Sequence, residues 1–568
     1  MPTTNQEKFT AKLLALTLGA VTVLVFTQSV TDPVNVTKLF ILGGLAFASL
    51  GAALAGKGST HLKPHRLALV LIGLFLLASI VSLVASKAPL SQSVYGVYGR
   101  NNGFLLYILL ILVFVSTLTI QNSNLFKYLL GALFFAGSVN VAYALWVMAF
   151  GDFIGWNNIY GNLLGTLGNP NFIGSFFGMF SALLFTYFFN PESSWKIRVA
   201  SIGLLVLTFI GIIESNAVQG KVLFVAALGI TLFFYIRSRV QFVVTDLSYI
   251  FLASVGFLLA LFGTLQKGPL AGVLYKETVS LRGQYWHAGW TTGSQNPWFG
   301  AGFDSYGDWY RRSRRESALT LPGIDTVTNT AHNVYLDIFA FGGWPLLCGY
   351  IAINLLVIVT ILRVTIKSRR FNPIFVSLTT VWVCYQLQSI ISINQIGLAI
   401  WGWIFGAAII AFGINEKNQT QKEQALSTGK QRNRAKNQNE PVFSPHLVAG
   451  LFSVLGLILS VPPLSADIKW RAAQVSQDVV KVEATLQGSY LNPHSTYRYI
   501  NTVGVFESNG LFELAHKYAL IAVEYNPESF ESWRNLSLLK LATQAEKDIA
   551  FQNMKRLDPF NQTIGKIN

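Results

Sequence analysis

Apolar runs separated by short polar loops are the dominant pattern along this chain. Each run is close to 20 residues, about the length needed to cross a hydrocarbon core of roughly 30 Å. The first run is followed at once by a second and has no small-residue cleavage site, so we interpret it as a membrane helix. We predict spans at residues 13–30, 36–55, 67–86, 104–120, 128–150, 171–189, 199–214, 221–236, 248–266, 333–362, 373–393, 397–413 and 446–464.

Composition supports this interpretation and excludes a soluble globular protein. Of the 568 residues, 52% are hydrophobic and only 12% are charged, and the mean hydropathy is +0.46. Soluble domains carry roughly 25% charged residues. The sequence therefore predicts an all-α, polytopic membrane helical bundle of about 12–13 transmembrane helices.

The distribution of Lys and Arg predicts the orientation of the bundle. Basic residues concentrate in alternate loops, and cytoplasmic loops carry such an excess. This places the N-terminus in the cytoplasm and the loops 87–103, 151–170, 215–220 and 267–332 outside. Much of the net charge of +16 then reflects orientation and attraction to anionic lipid, with no need for nucleic acid as a partner.

The chain divides into four predicted parts. A transmembrane domain covers residues 1–415 and includes the large outside loop 267–332. A basic cytoplasmic linker (416–445) and a last transmembrane helix (446–465) follow, and residues 466–568 form an extracytoplasmic helical domain. In this tail, Asn526-Pro527 and Asp558-Pro559 lie 32 residues apart, close to the period of 34 in tetratricopeptide repeats. An unspecialised helical cap is the alternative.

Polar residues that orientation does not require occur in the predicted outside loops. Arginines there run against the positive-inside tendency and need a local reason. His332 also stands directly before an apolar run, which is an unusual place for an imidazole. The candidate binding or catalytic residues are Arg100, Asn169, Asn171, Gln219, Lys221, Arg282, Arg311, Arg312, His332 and Asn333.

Structural roles compete with a functional role at most of these positions. Asn169 followed by Pro170 is a good helix start, and Asn333 is a possible cap. Arg100 could extend to lipid headgroups, and the cluster at Arg311 could touch anionic lipid. Lys221 could pair with Glu214 across a tight turn. His332 and Arg282 are the two residues for which the functional interpretation is favoured.

Five segments resemble the O-antigen ligase and polymerase superfamily over roughly residues 10–415. They are "GRNNG", "GNPNFIG", "SLRGQYW", "NPWFGAGF" and "HNVYLDIFAFGGW", in that order. The ligase motif is His-Asn, nine residues, then Gly, which His332, Asn333 and Gly343 satisfy. Two positions depart from the family: Leu346 replaces a small or aromatic residue, and the turn at 215–221 has Gln219 and Lys221 where an Arg is often found.

The resemblance implies a membrane glycosyltransferase of the bacterial cytoplasmic (inner) membrane. It would move a glycan from an undecaprenyl-diphosphate carrier to an acceptor hydroxyl on the outer face. Negative charge grows on the leaving diphosphate, and arginine offsets such charge while binding phosphate bidentately. We expect Arg282, with support from Arg100, Lys221 and Arg311 or Arg312, to bind the diphosphate. A neutral His332 suits the removal of the acceptor's proton.

The expected partners are the lipid-linked donor, a glycan, lipid or protein acceptor, membrane lipids and a protein bound by the tail. No cofactor or metal ion is expected. Protein O-oligosaccharyltransferase activity within the same superfamily is the first alternative. Small-solute transport is the second, and its best support is the polar run "CYQLQSIISINQIG", with Gln386, Gln388 and Asn394.

Overall fold

The computed structural model describes residues 4–55, 58–154, 158, 161–264, 266–274, 281–427 and 443–564. Helices account for 76% of the structure and no strand forms within those ranges, which confirms the predicted all-α class. The helices of six or more residues are α1 (Asn5–Val23), α2 (Asn35–Leu54), α3 (Arg66–Ala85), α4 (Leu90–Tyr95), α5 (Phe104–Leu118), α6 (Lys127–Phe150), α7 (Pro170–Phe189), α8 (Trp195–Glu214), α9 (Val218–Arg239), α10 (Val243–Thr264), α11 (Arg282–Gln295), α12 (Tyr306–Ser313), α13 (Val334–Lys367), α14 (Pro373–Ile391), α15 (Ile396–Ser427), α16 (Pro445–Ser476), α17 (Val479–Leu486), α18 (Thr496–Ser508), α19 (Phe512–Tyr525), α20 (Phe530–Leu538) and α21 (Gln544–Leu557).

Within the described part of the chain, 11 helices are long and apolar enough to cross a membrane. They are α2, α3, α6 to α10 and α13 to α16, and each matches a predicted span. The predicted span 104–120 is the shorter apolar helix α5. The predicted span 13–30 is wrong in its bounds, because α1 begins at Asn5 behind a capping box of Thr4 and Glu7 and ends at Val23.

Burial places α15 at the centre of the bundle and α10 at its edge. In the most apolar stretch of α15, 94% is buried inside the bundle, whereas in that of α10 only 6% is buried. Helices α1, α2, α5, α13 and α14 pack against α15, and α16 packs closely along α2. Gly43 and Gly456 allow that approach, because a Cβ at either position would collide with the other helix. Small residues let membrane helices come together in this way.

Two predicted connections contain more helix than the sequence suggested. The loop 267–332 holds α11 and α12, and its residues 275–280 lie outside the described residues. Helix α15 continues to Ser427, so the first part of the predicted linker 416–445 is helical. Residues 428–442 of that linker also lie outside the described residues.

The tail consists of short helices that lie against the loops of the membrane domain. Helix α18 packs on α19 and α20 packs on α21, which makes two consecutive helix pairs. The tetratricopeptide-like character of these pairs stays a prediction. The candidate loops and the tail meet at one end of the bundle, which we call the site end. The side of the membrane on which the site end lies stays a prediction.

Candidate active site

His332 lies in a tight turn that the protein holds in an unusual backbone conformation. Its φ is +52°, in the left-handed region that costs a non-glycine residue about 1–3 kcal/mol. The buried carboxylate of Asp337 accepts the N–H of Ala331 at 2.7 Å. The side chain of Asn333 caps α13 by accepting the N–H groups of Tyr335 (3.0 Å) and Leu336 (3.2 Å). These bonds fix the turn, and Asn333 has the structural role of a cap.

A break in α13 explains the glycine of the His-Asn motif. Gly343 has a φ of +64°, and the helix is interrupted at Gly342 and Gly343. The loop before α12 bridges the break: Ala301 N–H donates to Ala340 O at 2.7 Å, and Trp344 N–H donates to Pro297 O at 2.8 Å. A Cβ at Gly343 would collide with the Pro297 carbonyl. The first two turns of α13 are thereby anchored independently of the rest of the helix.

Arg282 reaches the same turn from the first residue of α11. This helix lies against the start of α13, with Gly289 beside Ala331 and Gly293 directly facing Phe339. The ring of Tyr285, one turn after Arg282, is 5.6 Å from the ring of His332 between centroids. Close packing of α11 on α13 therefore brings Arg282 and His332 together.

Arg100 belongs to a loop that two buried side chains hold in place. The carboxylate of Asp304 accepts the N–H groups of Val97 at 2.7 Å and Asn102 at 3.2 Å. The side-chain amide of Asn394 donates to Asn102 Oδ1 at 3.2 Å. Burial raises the pKa of Asp304 to about 6, although the two amides and the charge of Arg100 act in the opposite direction.

The charges of Arg100 and Arg282 both act on His332. Burial first, then Arg282 and Arg100, lower the pKa of His332 to about 3, so its imidazole is neutral at neutral pH. Burial also lowers the pKa of Arg282. Among the described residues, no carboxylate lies within ion-pair distance of either arginine. The site thus combines a neutral base with two cations that form no ion pair within the described ranges.

Arg311 and Arg312 instead bind the tail. Arg311 pairs with Glu531 at 2.7 Å and with Asp558 at 3.3 Å, and Arg314 pairs with Asp558 at 2.7 Å. Arg312 pairs with Glu528. Their guanidinium groups are occupied by carboxylates, so we correct the expectation that Arg311 or Arg312 binds the diphosphate. They hold the tail against α12.

The turn around residue 219 is a separate feature. Asn169 caps α7 by accepting the N–H of Asn171 at 2.9 Å, with Pro170 at the first helical position. Gln219 is buried and donates to the carbonyl of Asn171. Lys221 is exposed. Within the described residues, it forms no ion pair with Glu214 and no bond to Arg100, Arg282 or His332. The structure therefore does not join Asn169, Asn171, Gln219 and Lys221 to the His332 site by any direct bond.

Polar residues of α14 and the turn after it connect helices. Gln386 accepts from Tyr335 Oη at 2.7 Å and donates to Asn354 at 2.9 Å, and Asn394 contacts Tyr107 as well as Asn102. Gln388 donates to the carbonyl of Ile393. These contacts give the polar residues of this run structural roles in joining helices and turns.

Asp304, Asp337 and Asn102 support the site but were not predicted from the sequence. A signal existed for Asp304, since it follows Gly300 and Gly302 in a segment too rich in glycine for a regular helix. Asp337 lies within an apolar run, five residues after His332, where a carboxylate is costly without a partner. Asn102 gave no such signal, because its partner Asn394 is 292 residues away.

Comparison with known families supports the sequence motifs. Residues 203–351 match the family model described as O-antigen ligase. The matched stretch is about a quarter of the chain and includes Arg282, His332 and Gly343, whereas Arg100 lies before it. A comparison with curated proteins finds no match for the chain.

Proposed function

We propose that the chain, whose residues 203–351 match the O-antigen ligase family model, is an O-antigen ligase-type membrane glycosyltransferase. The protein transfers a glycan from an undecaprenyl-diphosphate carrier to an acceptor hydroxyl on the outer face of the bacterial cytoplasmic membrane. The observation that carries this proposal is the meeting of Arg100, Arg282 and a neutral His332 at the site end.

Arg100 and Arg282 bind the diphosphate of the donor. Each guanidinium offers a planar set of donors that matches phosphate oxygens, and neither has a carboxylate partner among the described residues. The bond between the anomeric carbon and the diphosphate oxygen breaks, and the diphosphate leaves with the electron pair. Cations fixed beside that oxygen stabilise the charge as it develops.

His332 accepts the proton of the acceptor hydroxyl as its oxygen bonds to the anomeric carbon. A base must be neutral to do this, and the low pKa of His332 keeps it neutral. The two arginines contribute to that low pKa. A bound diphosphate offsets their charge and so raises the pKa of His332 when the donor is present. His332 thus becomes a stronger base after the donor has bound.

The test is transfer by purified full-length protein supplied with lipid-linked donor extracted from cells. Loss of a general base typically costs 10²–10⁴-fold in rate, so we expect His332→Ala to lower turnover by about that factor. His287→Ala is the matched control, because His287 is also half-buried and lies on α11. Near-wild-type turnover of His332→Ala would remove His332 from the mechanism.

The product of the same reaction identifies the acceptor. Extension of a glycan indicates polymerase or ligase activity, and a glycosylated protein indicates the oligosaccharyltransferase alternative. Both outcomes keep the proposed donor chemistry. Solute flux in proteoliposomes without donor lipid would contradict it.

A further inference from the structure

A cavity of about 460 Å³ lies between the membrane domain and the tail. Asp32, Val36 and several residues of the segments 91–101 and 307–329 line one side, and several residues of the tail segments 493–500 and 529–531 line the other. Residues 463–470 of α16 complete the wall. Small-molecule sites have volumes of about 300–1,000 Å³, so this space can hold a ligand of a few ring units. Neither the membrane domain nor the tail forms the cavity alone.

Aromatic rings form one part of the cavity wall. Tyr98 of the membrane domain stacks on Tyr497 of the tail, with ring centroids 4.2 Å apart and an angle of 11°. Tyr95 and Trp470 also line the cavity. Aromatic side chains combine a flat apolar face with a polar edge. That combination suits a sugar ring, which has an apolar C–H face and a rim of hydroxyl groups.

Three buried polar groups in the wall have unused bonding capacity. One oxygen of Asp467 accepts the N–H groups of Thr31 (2.7 Å) and Asp32 (2.9 Å), and one oxygen of Asp32 accepts those of Val34 and Asn35 at 3.0 Å. The second oxygen of each carboxylate has no hydrogen-bond partner within the described residues.

The indole N–H of Trp470 is also unpaired in the described part of the chain. Asp32, Asp467 and Trp470 are 7%, 6% and 4% exposed, respectively. An unsatisfied buried polar group costs about 1–3 kcal/mol, so each favours a ligand that supplies a hydroxyl partner. Two acceptors and one donor beside aromatic rings match the chemistry of a polyhydroxylated ligand.

The cavity shares a wall with the proposed transfer site. Asn101 lines it, while the preceding residue, Arg100, lines a small neighbouring cavity. Likewise, Asn329 lines the large cavity and the next residue, Thr330, lines the small one. The segments that hold Arg100 and Thr330 therefore lie between the large cavity and the small one.

We propose that this cavity binds a carbohydrate chain, with the stacked Tyr98 and Tyr497 against a sugar face and Asp32, Asp467 and Trp470 bonded to hydroxyls. The inference rests on the proposed function, which makes both the donor and a glycan acceptor available as sources of that carbohydrate. The tail is then part of the substrate site as well as a neighbour of it.

The experiment measures binding by calorimetry on full-length His332→Ala protein, which holds substrates without consuming them. One probe is the oligosaccharide released by mild acid from the lipid-linked donor, and the other is oligosaccharide from partial hydrolysis of the cell's surface polysaccharide. We expect at least one probe to bind, and the one that binds identifies the donor or the acceptor as the source.

Tyr497→Ala and Asp467→Asn should each weaken that binding about tenfold. Asparagine keeps one oxygen for the amides of Thr31 and Asp32, so Asp467→Asn preserves the loop that they form. Phe560→Ala is the matched control, since Phe560 is a tail aromatic that is 40% exposed, against 38% for Tyr497, and lies outside the cavity wall. Its affinity should equal that of the parent protein.

Unchanged affinity in both cavity variants, or no binding of either probe, would overturn the proposal. Binding of a serine- and threonine-rich peptide in place of both oligosaccharides would overturn it in favour of a polypeptide. Thermal unfolding that matches the parent protein shows that each variant is folded. Failure of the proposed function gives a different result, because it would appear as retained turnover in His332→Ala while oligosaccharide binding is unaffected.

Discussion

The arginines at the site end fall into two groups that differ in their partners. Arg311, Arg312 and Arg314 meet carboxylates of the tail, and Arg314 is fully buried with Asp558. Arg100 and Arg282 face an imidazole, and no described carboxylate pairs with them. Sequence position alone does not distinguish the groups. The presence or absence of a counterion does, since a paired guanidinium has a structural role and an unpaired one can bind an anion.

The largest expected effect comes from removing the shared partner of the first group. Asp558→Ala leaves Arg314 buried without a carboxylate, and breaking a buried ion pair costs about 3–5 kcal/mol. We expect a lower melting temperature and faster proteolysis of the tail in the purified protein. Lys517→Ala breaks an exposed pair with Glu483 and is the control, because exposed ion pairs contribute little to stability. Equal shifts in the two variants would contradict the structural role of the first group.

The second group should respond in activity and not in stability. Arg282→Ala removes a cation from the leaving group, for which we expect a turnover about 10²–10³-fold lower at an unchanged melting temperature. Arg282→Lys should recover only part of the rate, because an ammonium lacks the planar donor set. Arg315→Ala removes an exposed arginine of the same loop and should leave turnover near that of the wild type. An Arg282→Ala protein that is destabilised but active would show that Arg282 has a structural role like that of the first group.

The smallest expected effect tests Asp304, the carboxylate whose charge acts on Arg100. Its pKa is raised to about 6, so the folded protein binds the proton more tightly than the unfolded chain does. The wild type should therefore gain about 1 kcal/mol over Asp304→Asn as the pH falls from 7 to 5. Melting temperatures of both proteins at the two pH values measure this difference. A difference that does not depend on pH would show that Asp304 is not titrating in this range.

Local signals in the sequence account for most of the fold. Apolar runs of membrane length located 11 spans, and Asn169-Pro170 marked a helix start that the structure confirms. The predicted span 13–30 is shifted from helix α1 because the apolar run does not show where the first turn of the helix begins. The signal was present in Thr4 and Glu7, three residues apart, which form the capping box.

The tertiary partners of the candidate residues could not be predicted in this way. The sequence around an arginine in a predicted outside loop does not show whether its partner is a phosphate or a carboxylate more than 200 residues away. Arg311 and Arg312 were therefore grouped with Arg282, although Glu531 and Glu528 occupy them. The proximity of His332 and Arg282 was easier to predict, since both belong to the predicted outside loop 267–332, and Gly293 and Gly343 allow its segments to pack closely on α13.

The ion pair between Arg314 and Asp558 has a consequence for how the protein is made. The carboxylate is 244 residues downstream of the arginine, so a ribosome must add all of them before the pair can exist. Until the tail packs against α12, the guanidinium of Arg314 remains in water without its carboxylate partner. Before this stage a nascent chain holds the loop around Arg314 without its partner, so completion of the fold is a late event in synthesis.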